Sequence, residues 1–138
     1  MQKDKLLSGL KIAEKFSIDT AILELLSFQM QIKILHWQTT SYAQHMAFGG
    51  IYDFLNDAID KFVEVYQGKY GRIKFGETEI EFDNIINVNI KKFVSDFESY
   101  LTGKLPTVVD TTSDTDLLNL RDEILSETKK LKYLLTLD

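Results

Sequence analysis

The chain has 138 residues, of which 44% are hydrophobic and 27% charged, a length and balance typical of one soluble domain with its own core. Its net charge of −5 argues against a nucleic-acid surface on the body of a monomer, because binding phosphates requires clustered Lys and Arg. The absence of cysteine excludes disulfides, thiolate zinc sites and thiol catalysis, and it fits a cytoplasmic protein.

The N-terminal stretch MQKDKLLSGLKIAEKF is predicted to be a tail or a short amphipathic helix. Its charged residues interrupt the apolar ones, so it does not have the pattern of a secretory signal. No apolar run in the chain approaches the roughly 18 residues that span a bilayer, and no membrane partner is expected. DNA is a weaker candidate partner, suggested by four lysines of this stretch: Lys3, Lys5, Lys11 and Lys15.

Two helices joined by a short connection are predicted next. Apolar residues at helical spacing indicate a first helix from Ser17 to about Thr39, with Ser17 or Asp19 as the N-cap. The second helix follows almost at once, because Ser41-Tyr42-Ala43-Gln44 has the S-x-x-Q form of a capping box. Gly68 is a suitable residue to end it.

The second half of the chain is predicted to contain a long crossover and two more helices. Residues 68–82 alternate apolar and polar side chains, which indicates a short hairpin. Helical spacing resumes from about Asn84 to Leu101 and from about Asp114 to Leu135, with a loop at 102–113. Four helices with one long crossover between the second and third predict an all-α four-helix bundle that forms a single domain, residues 1–138.

The two histidines of the chain, His36 and His45, lie on either side of the connection between the first two helices. If that connection forms a hairpin, both imidazoles lie at one end of the bundle and could share a divalent metal ion. The alternative is that His36 is an interior or hairpin residue and that His45 is a surface residue.

Four carboxylates on the second helix form an acidic ridge, because they recur at i, i+4, i+7 and i+11: Asp53, Asp57, Asp60 and Glu64. Like charges at this spacing repel each other, and a solvated acidic face is the usual explanation for such a ridge. Asp60 and Glu64 nevertheless lie between apolar residues, so they are expected to border the core. A cation bound there would remove both the repulsion and the cost of desolvation.

The histidines and the carboxylates cannot bind one ion within a single chain. His45 and Asp60 are 15 residues apart, which corresponds to about 22 Å along a helix. If the second helix packs antiparallel against its own copy, with a two-fold axis near residues 52 and 53, residue 45 of one chain faces residue 60 of the other. Two equivalent sites would result, each with histidines from one subunit and carboxylates from its partner.

The pattern His36-Trp37, His45 and Asp60-x-x-x-Glu64 resembles the DNA-protection-during-starvation (Dps) branch of the ferritin-like proteins. The resemblance implies a ferritin-like bundle, a ferroxidase centre across a homodimer interface, and a dodecameric shell that oxidises and stores iron. His36 and His45 would be metal ligands and catalytic residues of one subunit. Asp60 and Glu64 would be those of the partner, with Glu64 as the bridging carboxylate. Trp37 would lie beside the site or serve as a packing residue.

Imidazole and carboxylate ligands together suit Fe(II), and they also accept Mn(II) or Zn(II). Where the Dps branch commonly has a further acidic ligand, one turn after the second histidine, this chain has Gly49. Gly49 favours the competing hypothesis, a non-catalytic helical assembly or interaction protein that keeps the fold without the metal chemistry. The stretch from His36 to Arg72 is also similar to small proteins of unknown function from tailed bacteriophages. If the protein is viral, it is expected in the cytoplasm of the host.

Overall fold

The computed structural model describes residues 16–138, and it contains no strand within that range, which confirms the all-α class. The described residues form four α-helices, α1 (Ile18–Gln38), α2 (Tyr42–Tyr70), α3 (Ile90–Ser99) and α4 (Thr115–Leu134). None of these helices combines the length and the apolar character that crossing a bilayer requires. The predicted N-terminal helix and the four lysines of the DNA hypothesis lie outside the described residues.

The predicted limits of α1, α2 and α4 agree with the structure to within a few residues. Ser17 is the N-cap of α1, and its backbone N–H donates to Thr20 Oγ1 at 2.9 Å. Helix α2 continues two residues beyond Gly68 and is followed by Gly71. The φ angle of Gly71 is 91°, a value that glycine adopts without the steric cost that a Cβ brings.

All four helices contribute buried side chains to the core, and α3 contacts α1 through aromatic rings. The Phe28 ring of α1 packs on the Phe97 ring of α3 with 4.6 Å between their centroids. Directly after α3, the buried Tyr100 hydroxyl donates to the Ala21 carbonyl oxygen of α1 at 2.5 Å. Burial raises the pKa of Tyr100, so the phenol stays protonated and remains a donor to α1.

The predicted hairpin at 68–82 is wrong. Residues 68–70 belong to α2, and residues 71–84 have no regular secondary structure. This crossover runs beside α1 and binds its polar side chains. The Gln31 amide of α1 is mostly buried; it accepts a hydrogen bond from the Asp83 N–H and donates one to the Asp83 carbonyl, both at 2.9 Å. A side chain thus satisfies backbone groups that a second strand would have paired.

The predicted third helix is shorter at its start than expected and continues further at its end. Helix α3 begins after Asn89, whose Oδ1 accepts from the Lys92 N–H at 3.0 Å. The residues before it contain only a 3₁₀ turn, Ile85–Asn87. After Ser99 the chain stays helical through a π-helical turn and a second 3₁₀ turn: Tyr100–Lys104 and Leu105–Val108. The predicted loop at 102–113 therefore begins only after Val108.

The crossover follows α1 from one end to the other. Gly76 N donates to the Asp19 carboxylate at the start of α1, at 3.3 Å, and Ile85 N donates to Gln38 Oε1 at its end, at 2.7 Å. Helix α3 therefore begins at the same end of the bundle as the α1–α2 connection. We call this end, which contains residues 36–46, the histidine end.

Candidate metal-binding site

Three residues, Thr39 to Ser41, join α1 to α2, and side chains fix their conformation. Ser41 Oγ accepts from the Gln44 N–H at 3.2 Å, which is the first half of the predicted capping box. The second half is replaced, because the Ser41 N–H donates to Thr39 Oγ1 at 3.1 Å. Thr39 Oγ1 in turn donates to Gln44 Oε1 at 2.6 Å. This tight hairpin places the last turn of α1 against the first turn of α2.

The two histidines meet across this hairpin, as the sequence predicts. Their rings stack with 3.9 Å between centroids and an interplanar angle of 15°. His36 Nδ1 lies 2.7 Å from the His45 carbonyl oxygen, and His45 Nδ1 lies 2.8 Å from the His36 carbonyl oxygen. The His36 carbonyl belongs to the last turn of α1, where carbonyls have no partner within the helix, so His45 satisfies one of them.

These contacts determine which ring nitrogen carries the hydrogen. A carbonyl oxygen only accepts hydrogen bonds, so Nδ1 of both His36 and His45 must be the donor. In the neutral rings Nε2 is then unprotonated and has a lone pair available for a metal ion. Metal-binding histidines commonly have this arrangement, with the other ring nitrogen donating to a carbonyl. Both rings are partly buried, so hydration competes less with such an ion than it would on an open surface.

The stacking restricts how His36 and His45 can bind metal. An ion bound to an imidazole nitrogen lies close to the plane of that ring, and these two planes are nearly parallel. One ion therefore does not lie in both planes, and a shared ion requires one ring to turn. As placed, the pair offers two separate nitrogen ligands.

Gly49 lies against the His36 ring. An added Cβ at residue 49 would be 2.9 Å from His36 Cε1 and 3.1 Å from His36 Nδ1. The sequence contained a signal for this contact, a glycine one turn after His45, but interpreting it required the position of a side chain on another helix.

The acidic residues are separated from the histidines within one chain, as the helix length predicts. Asp60 and Glu64 lie on α2 at least 15 residues beyond His45, and both are exposed, so the expectation that they border the core is wrong. The other two ridge residues, Asp53 and Asp57, are exposed as well. Within residues 16–138 no group of three or more His, Asp or Glu side chains is placed to hold a metal ion. The residues that the structure describes therefore place no carboxylate together with His36 and His45.

Trp37 is not a core residue, because 68% of its side chain is exposed. The Lys33 ammonium lies 5.5 Å from the centroid of the Trp37 ring and 4.4 Å from that of Tyr52 on α2. Trp37 thus forms part of the outer surface of the α1–α2 pair beside the histidine end.

A second polar cluster, around Asp114, lies at the opposite end of the bundle and was not predicted. The Asp114 side chain has no solvent exposure, and its carboxylate accepts from Lys69 Nζ at 2.5 Å, from the Tyr70 hydroxyl at 2.6 Å and from the Asp110 N–H at 2.8 Å. These donors, Lys69 foremost, lower the pKa of Asp114 to about 2. The cluster joins the end of α2 to the start of α4.

Comparison with known proteins places the chain in a family. Residues 36–135, more than half of the chain, match the family of unknown function DUF5856, so the chain belongs to that family. The chain is also 29% identical over 116 residues to an uncharacterized 14.6 kDa protein in the mobD-ri intergenic region of Enterobacteria phage T4. That similarity covers 83% of this chain and 84% of the T4 protein, and it is compatible with the resemblance to phage proteins. No solved structure matches the chain. Iron binding and the likeness to Dps proteins stay predictions.

Proposed function

We propose that this protein is a ferritin-like, iron-binding homo-oligomer in which His36 and His45 of one subunit act with Asp60 and Glu64 of its partner. The observation that best supports the proposal is the histidine pair, since both Nδ1 atoms donate to carbonyls and both Nε2 atoms are free to bind metal. As placed, the two rings offer separate nitrogen ligands, so one ion would bind both only after one ring turns. A partner chain would supply the carboxylates that complete the site.

The acidic ridge would make the stability of the oligomer depend on bound metal. An antiparallel α2–α2 contact would bring two exposed ridges together, and their like charges would repel each other. Divalent cations bound between the histidines of one chain and the carboxylates of the other would neutralise part of that charge. We therefore expect the dimer to be more stable when metal is bound.

The proposed reaction is the oxidation of Fe(II), which is the substrate, by peroxide or dioxygen. With peroxide, two Fe(II) ions each give up one electron, the O–O bond breaks, and two protons complete two molecules of water. Imidazole nitrogen suits Fe(II), and the carboxylates of Asp60 and Glu64 suit the ferric product, because Fe(III) is the harder ion. Mn(II) and Zn(II) are alternative ions for the same ligands.

Replacing His36 and Asp60 together with alanine tests the oxidation. We expect the absorbance change that follows Fe(II) addition to fall to the rate seen in buffer alone, because each site loses one ligand from each subunit. The matched control is Asp53→Ala with Asp57→Ala, which alters the same ridge and leaves the four proposed ligands in place. Oxidation at the wild-type rate in the His36/Asp60 variant would contradict the proposed enzyme activity.

A binding role without chemistry is the second candidate, and the exposed apolar side chains of the histidine end favour it. They include Ile86, which is 87% exposed, and Tyr42, which is 76% exposed. The others at this end are Trp37, Met46, Tyr133 and Leu137, while four more exposed apolar side chains lie at the end of α2 and on the crossover: Tyr70, Phe75, Ile80 and Phe82. Exposed apolar groups gathered at one end of a bundle are typical of a surface that contacts another macromolecule. Elemental analysis of protein purified without chelator, together with its mass in solution, separates the candidates, because a metal-free monomer would favour this one.

A further inference from the structure

Gly49 leaves room for the imidazole of His36. The distances from an added Cβ at residue 49, 2.9 Å to Cε1 and 3.1 Å to Nδ1 of His36, are shorter than the roughly 3.5–4.0 Å at which carbon atoms pack best. Any residue other than glycine at position 49 would therefore occupy space that the His36 ring now fills. The neighbouring Gly50 is different, because nothing lies within 4 Å of a Cβ added there.

The His36 ring occupies the space beside Gly49, and from there it makes the contacts described above. In that position its ring stacks on His45 and its Nδ1 donates to the His45 carbonyl oxygen at 2.7 Å. We infer that Gly49 is a positioning residue: by lacking a side chain, it leaves the space in which the His36 imidazole stacks on His45 and donates through Nδ1.

Gly49 stands where the resemblance to the Dps branch implies an acidic ligand, and its contact with the His36 ring gives it a structural role instead. A carboxylate at residue 49 would require a Cβ, and that Cβ would displace the His36 ring. A metal ligand at residue 49 would therefore require the His36 ring to shift from its observed position. Glycine at position 49 thus preserves the stacked arrangement of His36 and His45 and supplies no third ligand.

The absence of a carboxylate at residue 49 also affects which ions the site would accept. The ligands supplied by one chain at this end are then two imidazole nitrogens, which suit Fe(II), Co(II) and Zn(II) better than Mg(II) or Ca(II). This statement about metals rests on the proposed function, whereas the positioning of His36 by Gly49 does not.

The variants Gly49→Ala and Gly50→Ala test the inference as a matched pair. Both place alanine in adjacent positions of α2, and alanine suits a helix better than glycine, so both variants are expected to fold. Only the first crowds His36. The first readout is the proton–nitrogen NMR spectrum of the two imidazoles with both rings neutral, and the second is Zn(II) affinity by titration calorimetry, with Mg(II) as the negative control.

We expect Gly49→Ala to remove the hydrogen-bonded Nδ1–H signal of His36 and to shift the ring signals of His45, while Gly50→Ala leaves both as in the wild type. Zn(II) affinity should fall by about 10- to 100-fold in Gly49→Ala alone, the usual effect of losing the orientation of a ligand. Unchanged His36 signals in folded Gly49→Ala would overturn the inference. Altered His36 signals in a protein whose wild type binds no Zn(II) would uphold the role of Gly49 and contradict the proposed metal site instead.

Discussion

Asp114 shows how a single buried carboxylate holds two helices together. Its oxygens receive hydrogen bonds from Lys69 and Tyr70 at the end of α2 and from the Asp110 N–H before α4. All of these donors favour the charged carboxylate, which is why the pKa of Asp114 falls from its ordinary 3.8 to about 2 in the folded protein. This cluster could not be predicted from the sequence, because Lys69 and Tyr70 are 45 and 44 residues away from Asp114.

The lowered pKa predicts how stability depends on pH. Because the folded pKa lies below the unfolded one, Asp114 contributes stability above about pH 4, and that contribution is lost as the pH falls toward 2. In Asp114→Asn we expect a melting temperature several degrees lower at pH 5, and a smaller further decrease between pH 4 and pH 2 than in the wild type. Thermal unfolding at a series of pH values measures both effects.

The control for Asp114→Asn is Asp116→Asn, which makes the same change of charge at an exposed residue two positions along the chain. It should unfold with nearly the pH dependence of the wild type. A constant difference between Asp114→Asn and the wild type at every pH would show that the carboxylate does not titrate with the lowered pKa.

At the scale of elements, the sequence predicted helices whose ends are fixed locally. Ser17 and Ser41 cap α1 and α2 through partners three residues away. The crossover could not be predicted in the same way, because the Gln31 amide that pairs with the Asp83 backbone is 52 residues distant. The contact between His36 and His45 could be predicted because a short connection joins their helices. The contact between His36 and Gly49 could not be predicted, because it depends on how the two helices pack.

The pairing of Gln31 with Asp83 predicts a local effect on the crossover. Replacing Gln31 with alanine removes one acceptor and one donor, so the Asp83 amide hydrogen should exchange faster, and the free energy of unfolding should fall by about 1 kcal/mol. Hydrogen exchange followed by NMR, together with urea unfolding, measures these changes.

The matched control for the crossover is Gln67→Ala, because Gln67 Oε1 accepts from the Ile73 N–H at the start of the same segment. That variant should speed exchange at Ile73 and leave Asp83 protected. If the Asp83 amide stays as slow in Gln31→Ala as in the wild type, Gln31 does not fasten the crossover.

For the whole molecule, the central claim is that the ligands of one site belong to two chains. The described chain brings His36 and His45 together, and it places Asp60 and Glu64 on the exposed face of α2, about 22 Å or more along the helix from His45. Under the proposal, assembly with another copy of the chain brings the carboxylates to the histidines and completes the site.

Mixing two inactive variants tests this claim most directly. One variant carries His36→Ala and His45→Ala, the other carries Asp60→Asn and Glu64→Gln, and neither can form a complete site alone. In a dimer of the two, one site combines both histidines of the second variant with both carboxylates of the first. After random exchange of subunits, we predict that about a quarter of the wild-type metal sites and Fe(II) oxidation return. Mixtures that bind no more metal than the separate variants would contradict a site shared between subunits.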